Sequence, residues 1–322
     1  MSGKGGSDPS SREALAGPPS TLSLYGRAAL GSLPLVGHLP LVGHLPFVAG
    51  GGDEIPDVEL LLEDVEVDVG RLAEYCGVCG FALRDTLPAT YPHILAFPLH
   101  MALMTRSDFP FAAVGLVHIS NRITQHRPIR VGERLEVSVN SGPLAPHPKG
   151  RAFTLVSEAR VGEELVWEGE STNLRRGGGD ESGAAGAAGA GAEAVEPGPD
   201  ARPELRDEAE WQLPGDLGRR YGGASGDRNP IHMYGLTAKA FGFPRQIAHG
   251  MWTKARCVAA LEPRLPGAFS VEVAFKRPIL LPSKVVFATG GADARDEGTG
   301  AGVAFSVRSA RDGTPHLTGA TR

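Results

Sequence analysis

Cysteine is scarce: Cys76, Cys79 and Cys257 are the three in 322 residues, too few for a disulfide framework. No secretory signal precedes them, so a reducing cytoplasm is the expected setting. Charge of one sign is also lacking. Lys and Arg number 32 against 37 Asp and Glu, a net charge of -5, which leaves no global basic field for nucleic acid or anionic lipid. Long apolar runs are absent too. The most apolar stretch, "LPLVGHLPLVGHLPFVAG" at residues 33–50, repeats a six-residue unit nearly three times and carries Pro34, Pro40, Pro46 and two histidines. A spanning helix needs about 20 apolar residues, so no spanning segment is expected. Several catalytic signatures are missing as well: no nucleophile elbow G-x-S-x-G, no Gly-rich phosphate loop and no H-E-x-x-H.

Glycine and proline are plentiful, 44 and 26 residues, and imply long irregular segments. Residues 1–20 read as a disordered tail and 1–54 as a flexible N-terminal segment. Residues 177–203, "GGGDESGAAGAAGAGAEAVEPGPDARP", have almost no large apolar side chain and read as a linker. It separates an N-terminal block, 55–176, from a C-terminal block, 204–322. The blocks repeat one another. Arg127-Pro128-Ile129 lies 150 positions before Arg277-Pro278-Ile279, "YCGVCG" at Tyr75 matches "YGGASG" at Tyr221 at an offset of 146, and "PLHM" near His100 sits opposite "IAHGM" near His249 at 149. Three anchors in one order argue for duplication.

In the C-terminal block Asn229 is a good N-cap and Pro230 suits the first helical position, with Gly242 and Pro244 ending that helix after about three turns. A second helix opens near His249-Gly250 and stops before Pro263, with Met251, Ala255, Val258 and Ala259 on one face. Strands follow: Phe269, Val271, Val273 and Phe275 alternate with polar or small residues, as do Val303, Phe305 and Val307. Leu135, Val137, Val139, Phe153 and Leu155 do the same in the N-terminal block. Helices followed by antiparallel strands indicate an α+β unit whose curved sheet wraps a helix, present twice. Two such units can join edge to edge and so hide a sheet edge.

The chemistry concentrates in "SGDRNPIH", residues 225–232. With Asn229 as cap, Asp227 lies just before the helix and His232 in its first turn, so the two side chains can converge. Carboxylate plus imidazole suits general acid and base work, typically worth about 10²- to 10⁴-fold. A capped polar turn with a satisfied histidine has the same pattern. Ser225 also allows a Ser-His-Asp arrangement, although one turn rarely supplies all three members. Gly250, at a helix start, either directs its N–H at a carbonyl oxygen or lets the helix approach the sheet. Cys76 and Cys79 form a C-x-x-C with no second pair to make a zinc site and no redox context.

"YGGASGDRNPIHMYGLTAKAFGFPRQIAHGM" resembles the hydratase 2 motif of the MaoC-like (R)-specific enoyl hydratases and 3-hydroxyacyl dehydratases. With "DFPFAAVG", "ITQHRPI" and "PHLTG", the likeness extends over residues 55–322 and is nearest to the actinobacterial two-hot-dog dehydratase X type. It implies an α+β double hot-dog fold, two curved antiparallel sheets each wrapping a central helix. It implies that Asp227 and His232 hold and activate a water molecule, that Asn229 orients them, and that the Gly250 N–H binds the thioester oxygen. Arg228 carries no assignment.

The implied reaction is hydration of trans-2-enoyl thioesters, or the reverse dehydration of (3R)-hydroxyacyl thioesters, on coenzyme A or acyl carrier protein. No metal, cofactor or covalent intermediate is required. Non-catalytic acyl-thioester binding and a hot-dog thioesterase are the alternatives. Aligned from Tyr75, Phe81 stands opposite Asp227, Thr86 opposite His232 and Cys79 opposite Ser225, so the N-terminal block reads as a degenerate copy and its C-x-x-C as a decayed turn. In comparable two-hot-dog hydratases such a copy makes room for a bulky acyl chain, which Phe97, Phe109 and Phe111 could line, with core packing the plainer role for each. Arg245, Lys254 and Lys276 are candidate phosphate contacts. Such a chain can be a monomer or a homodimer.

Overall fold

The computed structural model describes residues 11–30, 54–113, 115–177, 205–291 and 302–322. The hexapeptide repeat at 33–50 and nearly all of the Gly/Ala-rich linker lie outside them. In chain order the first elements are β1 (Ser11–Ala14), α1 (Thr21–Leu30), β2 (Val58–Val65), α2 (Val69–Cys79), α3 (Pro92–Met104) and β3 (Val117–Gln125). Then come β4 (Leu135–Ser141), β5 (Ala145–His147), β6 (Gly150–Val161), β7 (Glu164–Arg176), β8 (Arg206–Leu213) and α4 (Leu217–Ser225). The remainder are α5 (Pro230–Met233), α6 (Gly235–Ala240), α7 (Gly250–Leu261), β9 (Phe269–Phe275), β10 (Ser283–Gly291), β11 (Val303–Ser309) and β12 (Pro315–Thr321).

These elements form two compact units that do not follow chain order. One holds the described residues within 1–67, 92–117 and 132–181; the other holds those within 68–91, 118–131 and 182–322. In the first, the strands run β1-β2-β4-β6-β7 with β5 on β6, antiparallel except for the parallel β1–β2 pair. Helix α3 packs on β2, β4 and β6. Its residues His93, Ile94, Ala96, Leu99, His100, Met101 and Leu103 are all buried, as befits a helix that is apolar on every side and lies in a core. Phe109 meets Phe153 edge-on at 5.4 Å and Phe111 at 6.3 Å, an aromatic cluster of the kind that fills cores.

The N-terminal segment needs a correction. Residues 11–14, expected to be part of a flexible tail, add a strand to β2, with Leu15 N–H donating to the Leu61 carbonyl at 2.9 Å. Arg12 pairs with Glu59 at 2.9 Å and Glu136 at 2.7 Å. Residues 21–30 form α1, which meets α3 and buries Leu24. Edge addition is driven by backbone hydrogen bonds, which leave little mark on composition.

In the second unit the strands run β3-β9-β12-β11-β10-β8, each pair antiparallel. Alternation holds as expected: Phe269, Val271 and Val273 of β9 are buried while Glu272 is exposed. Strand β3 comes from the N-terminal block, yet it pairs with β9 from Ser120↔Ala274 to Gln125↔Phe269. Helix α7 lies against these two strands. Its Lys254 is completely buried and donates to Asn121 Oδ1 at 2.5 Å, the Asn121 carbonyl at 3.2 Å and the Val271 carbonyl at 3.0 Å. Burial pushes its amine well below the usual lysine range. Lys254 therefore ties helix to sheet and is no phosphate contact.

Helices α2 and α4, the two copies of the Tyr-Gly motif, pack together. Each ends on a left-handed glycine, Gly80 at φ 83 and Gly226 at φ 81, whose N–H returns to Cys76 or Gly222. Arg71 of α2 donates to the carbonyls of Ala224 and Ser225, both at 2.9 Å, and so caps α4 at the entrance to the Asp227 turn.

Two parts of the proposed duplication change. The equivalent backbone bridges are Thr86↔Arg130 and Ile247↔Leu280, so Thr86 corresponds to Ile247 and not to His232. Five residues, 81–85, occupy the place of twenty, 227–246, so the first copy lacks the segment that carries Asp227 and His232. His100 lies inside α3 whereas His249 is the N-cap of α7, so those two histidines are not counterparts either.

Candidate active site

The site is a sharp turn between two helices. Asp227 follows Gly226, its N–H donating to Ser225 Oγ at 3.1 Å, and its Oδ1 accepts the Asn229 N–H at 3.1 Å. Asn229 caps α5 by accepting the Ile231 N–H at 3.3 Å, with Pro230 in the first helical position. The capped start is as expected, but the three-turn helix is not: Tyr234 is extended at φ -143 and splits it into α5 and α6. Gly222 is required behind the turn, since a Cβ there would stand 2.8 Å from the Asp227 carbonyl.

His232 is 8% exposed, and its Nδ1 lies 2.8 Å from the Ile247 carbonyl. A carbonyl can only accept, so Nδ1 carries the proton and Nε2 keeps a free lone pair. Burial lowers the pKa of His232, while the Asp227 carboxylate and the Ile247 carbonyl raise it in part. The ring is therefore neutral at pH 7 and able to take a proton.

His249 is the residue that sequence reasoning missed. It is 2% exposed and stacks on His232 with ring centroids 3.6 Å apart, while Tyr221 lies 4.8 Å from it. Its Nε2–H donates to the Asp227 carbonyl at 3.0 Å; the Asp227 Oδ2 is farther, at 3.8 Å. Burial and the neighbouring His232 push its pKa down to about 3, so the closeness to Oδ2 is no ion pair at neutral pH. Its Nδ1 is buried without a partner among the described residues. The only signal was its place in "IAHGM". His249→Phe should keep the stack but leave the Asp227 carbonyl unpaired; a fall of about tenfold in kcat is the expected reading.

Gly250 opens α7 with no side-chain cap from His249, leaving the first backbone N–H groups of a twelve-residue helix without intrahelical acceptors. A Cβ at Gly250 would lie 3.0 Å from the Phe275 ring, so the glycine also permits a close helix–sheet approach. The close approach is what the structure shows of Gly250. Phe275 also packs against His118 at 4.9 Å, whose buried Nε2 has no partner among the described residues and whose pKa burial lowers to about 4.

Other candidates fall away. Ser225 is 1% exposed and holds the Asp227 N–H, so it is no nucleophile. Cys76 and Cys79 are buried free thiols whose pKa values burial raises, the opposite of a reactive pair. Asp227, His232 and His249 each place one ligand atom within 4.8 Å of the others. Two stacked imidazoles, however, send their in-plane lone pairs side by side instead of toward one ion, and one nitrogen of each already serves a carbonyl.

Buried neutral histidines also set the response to acid. The unfolded chain takes up their protons near pH 6.5, but the native state does not until about 4 at His118 and about 3 at His249. Their stabilisation is intact above 6.5 and declines as pH falls, by about 1.4 kcal/mol per pH unit for each. Urea midpoints at pH 7.0, 6.0 and 5.0 should fall in that order.

Comparison with known proteins gives the family and the fold. The MaoC-like domain model matches residues 199–302. The 3-hydroxyacyl-thioester dehydratase X of Mycobacterium tuberculosis is 36% identical over 306 residues, 94% of this chain and 98% of that protein. The crystal structure of HtdX from the same organism superimposes with a TM-score of 0.65 at 34% identity, covering 82% of this chain and 99% of the other. A double hot-dog protein of M. tuberculosis matches at a TM-score of 0.51 and 13% identity, covering 81% and 94%, a likeness of fold. The fold is a double hot dog of the hydro-lyase class. The chain belongs to the MaoC-like dehydratase family.

Proposed function

We propose that the protein reversibly hydrates trans-2-enoyl thioesters to (3R)-hydroxyacyl thioesters, with Asp227 and His232 as the acid-base pair, Asn229 as the residue that orients them and Gly250 as the oxyanion donor. The observation that carries this is the paired placement of Asp227 and a neutral His232 whose Nδ1 is fixed on the Ile247 carbonyl. Water held by the pair attacks Cβ and gives a proton to His232 Nε2. The π electrons move through Cα to the thioester oxygen, where the Gly250 N–H meets the enolate charge at the helix N-terminus. The proton is then delivered to Cα, and the dyad returns to its starting state. Dehydration retraces these steps.

The substrate is an acyl group on coenzyme A or acyl carrier protein, and no residue of this site forms a covalent bond to it. The direct test is incubation with trans-2-enoyl-CoA from short to long chain, with chiral analysis of the product. Formation of the (3R)-hydroxy product supports the reading; release of free thiol with no hydrated acyl product would sink it. Because the His232 pKa is lowered, the acid-side fall in kcat/KM as the base form is lost should be centred below the ordinary imidazole range. A decline already complete at pH 7 would contradict the assignment of His232.

A further inference from the structure

Helix α2 comes from the copy that lacks the dyad, yet both of its ends are engaged by the helices that frame the dyad. At its start, Asp68 caps the helix by accepting the Arg71 N–H at 2.8 Å, which fixes the Arg71 backbone. The half-buried Arg71 side chain crosses to α4 and donates from Nε to the Ala224 carbonyl and from Nη2 to the Ser225 carbonyl, both at 2.9 Å. Near its end, the Val78 carbonyl accepts the indole N–H of Trp252, from the first turn of α7, at 2.9 Å. About 10 Å of helix axis separates Arg71 from Val78.

These contacts meet the two halves of the proposed chemistry. Ala224 and Ser225 end α4 beyond the bond from the Gly226 N–H to the Gly222 carbonyl at 3.0 Å, so their carbonyls have no donor within the helix. Arg71 supplies it. Ser225 in turn accepts the Asp227 N–H on its Oγ at 3.1 Å, which links the guanidinium to the aspartate through a single residue. Trp252 lies two residues after Gly250. A guanidinium suits the task, because its planar fork meets two successive carbonyls at once and its charge faces the negative end of a helix dipole. Counted from Tyr75 and Tyr221, the place of Arg71 is taken in α4 by the buried Leu217, so α4 offers no such contact in return.

We infer that α2 is a brace that sets the spacing between the Asp227–His232 pair and the Gly250 N–H, with Arg71 as a positioning residue for the reaction. The inference rests on the hydratase reading above and deepens it: the copy without a dyad keeps the geometry of the copy that has one. Proton transfer at Cβ and charge stabilisation at the thioester oxygen must act on one substrate at a fixed separation, and a misplacement of about 1 Å can cost about 10²-fold. A plain staple between two helices would affect stability alone.

The test measures kcat and KM on a trans-2-enoyl-CoA for the full chain and for Arg71→Ala, Arg71→Lys and Trp252→Phe. Arg71→Ala should lose about 10- to 100-fold in kcat with KM changed by less than about threefold, because substrate still binds while the reacting groups are out of place. A guanidinium salt, too dilute to unfold the chain, should recover part of that loss, and sodium chloride at the same concentration none. Arg71→Lys, with the charge but not the fork, should fall between, and Trp252→Phe should lower kcat by about threefold or more. The His249 Nε2–H, which donates to the Asp227 carbonyl at 3.0 Å, reports on the turn without substrate. Its NMR signal in histidine-labelled protein, assigned by its loss in His249→Phe, should move in Arg71→Ala and return with guanidinium. Wild-type kcat in Arg71→Ala, or a loss that follows melting temperature and ignores guanidinium, overturns the inference. If Arg71→Ala does not fold, wild-type kcat in both Arg71→Lys and Trp252→Phe overturns it. If the wild type does not hydrate the enoyl-CoA, the hydratase reading fails, while an unmoved His249 signal still overturns the hold of Arg71 on the turn.

Discussion

Asp227→Asn and His232→Ala should each lower kcat/KM on a trans-2-enoyl-CoA by about 10³-fold or more, the loss expected when a positioned proton-transfer group is removed and the water is left unheld. The Asn variant keeps a side-chain oxygen able to accept the Asn229 N–H, now 3.1 Å from Oδ1, so the turn should persist. His232→Ala removes a ring stacked on His249 and costs some stability. Melting temperature and far-UV circular dichroism of the Asn variant therefore separate chemistry from folding. The double variant should be hardly slower than either single one, because residues that act as a unit are not additive. Either single variant retaining wild-type turnover would remove the dyad from the mechanism.

The second large effect is on stability. Lys254→Ala should cost about 3–5 kcal/mol, since it leaves a cavity under α7 and strips hydrogen bonds from Asn121 Oδ1 and two backbone carbonyls. Three acceptors converge on one amine nitrogen at the end of a four-carbon stem, which no other side chain supplies. Lys254→Met should recover part of the loss by filling the space. Urea titration of both variants measures the order, and an Ala variant within 1 kcal/mol of wild type would show that the buried amine is dispensable. This cost would reach the site as well, because α7 carries Gly250 at its first residue.

The C-terminal strands and α7 were legible because their physics is local. Period-two alternation marks β9 and β11, and His249-Gly250 to Pro263 brackets α7. Helix α3 was missed for the opposite reason: buried on every side and carrying Pro98 within it, it has no polar stripe to reveal a period. The three-turn helix expected after Asn229 failed at Tyr234, where Thr237 Oγ1 donates to the Pro230 carbonyl at 2.6 Å and to the Tyr234 carbonyl at 2.9 Å, bonds the helical pattern does not foretell. Repeat alignment erred at Thr86 because offsets drift across a deletion, and the backbone bridge to Arg130 corrects it.

By itself the sequence determined the chemistry on offer: an acid and a base five positions apart around an Asn-Pro cap, the glycine at a helix start, and the motif by which the chain resembles its family. Those features depend on residues close together in the chain, where capping and φ restraints decide the geometry. The tertiary structure alone decided which nitrogen of His232 carries the proton, that His249 stacks on His232 and reaches the Asp227 carbonyl, and that Lys254 is buried instead of facing phosphate. It also brought α2 and β3 of the N-terminal block into the unit that holds the dyad, with Arg71 on the α4 carbonyls. Each of those outcomes depends on a carbonyl, a ring face or a desolvated amine contributed by a distant part of the chain, and burial gives such contacts their energetic weight.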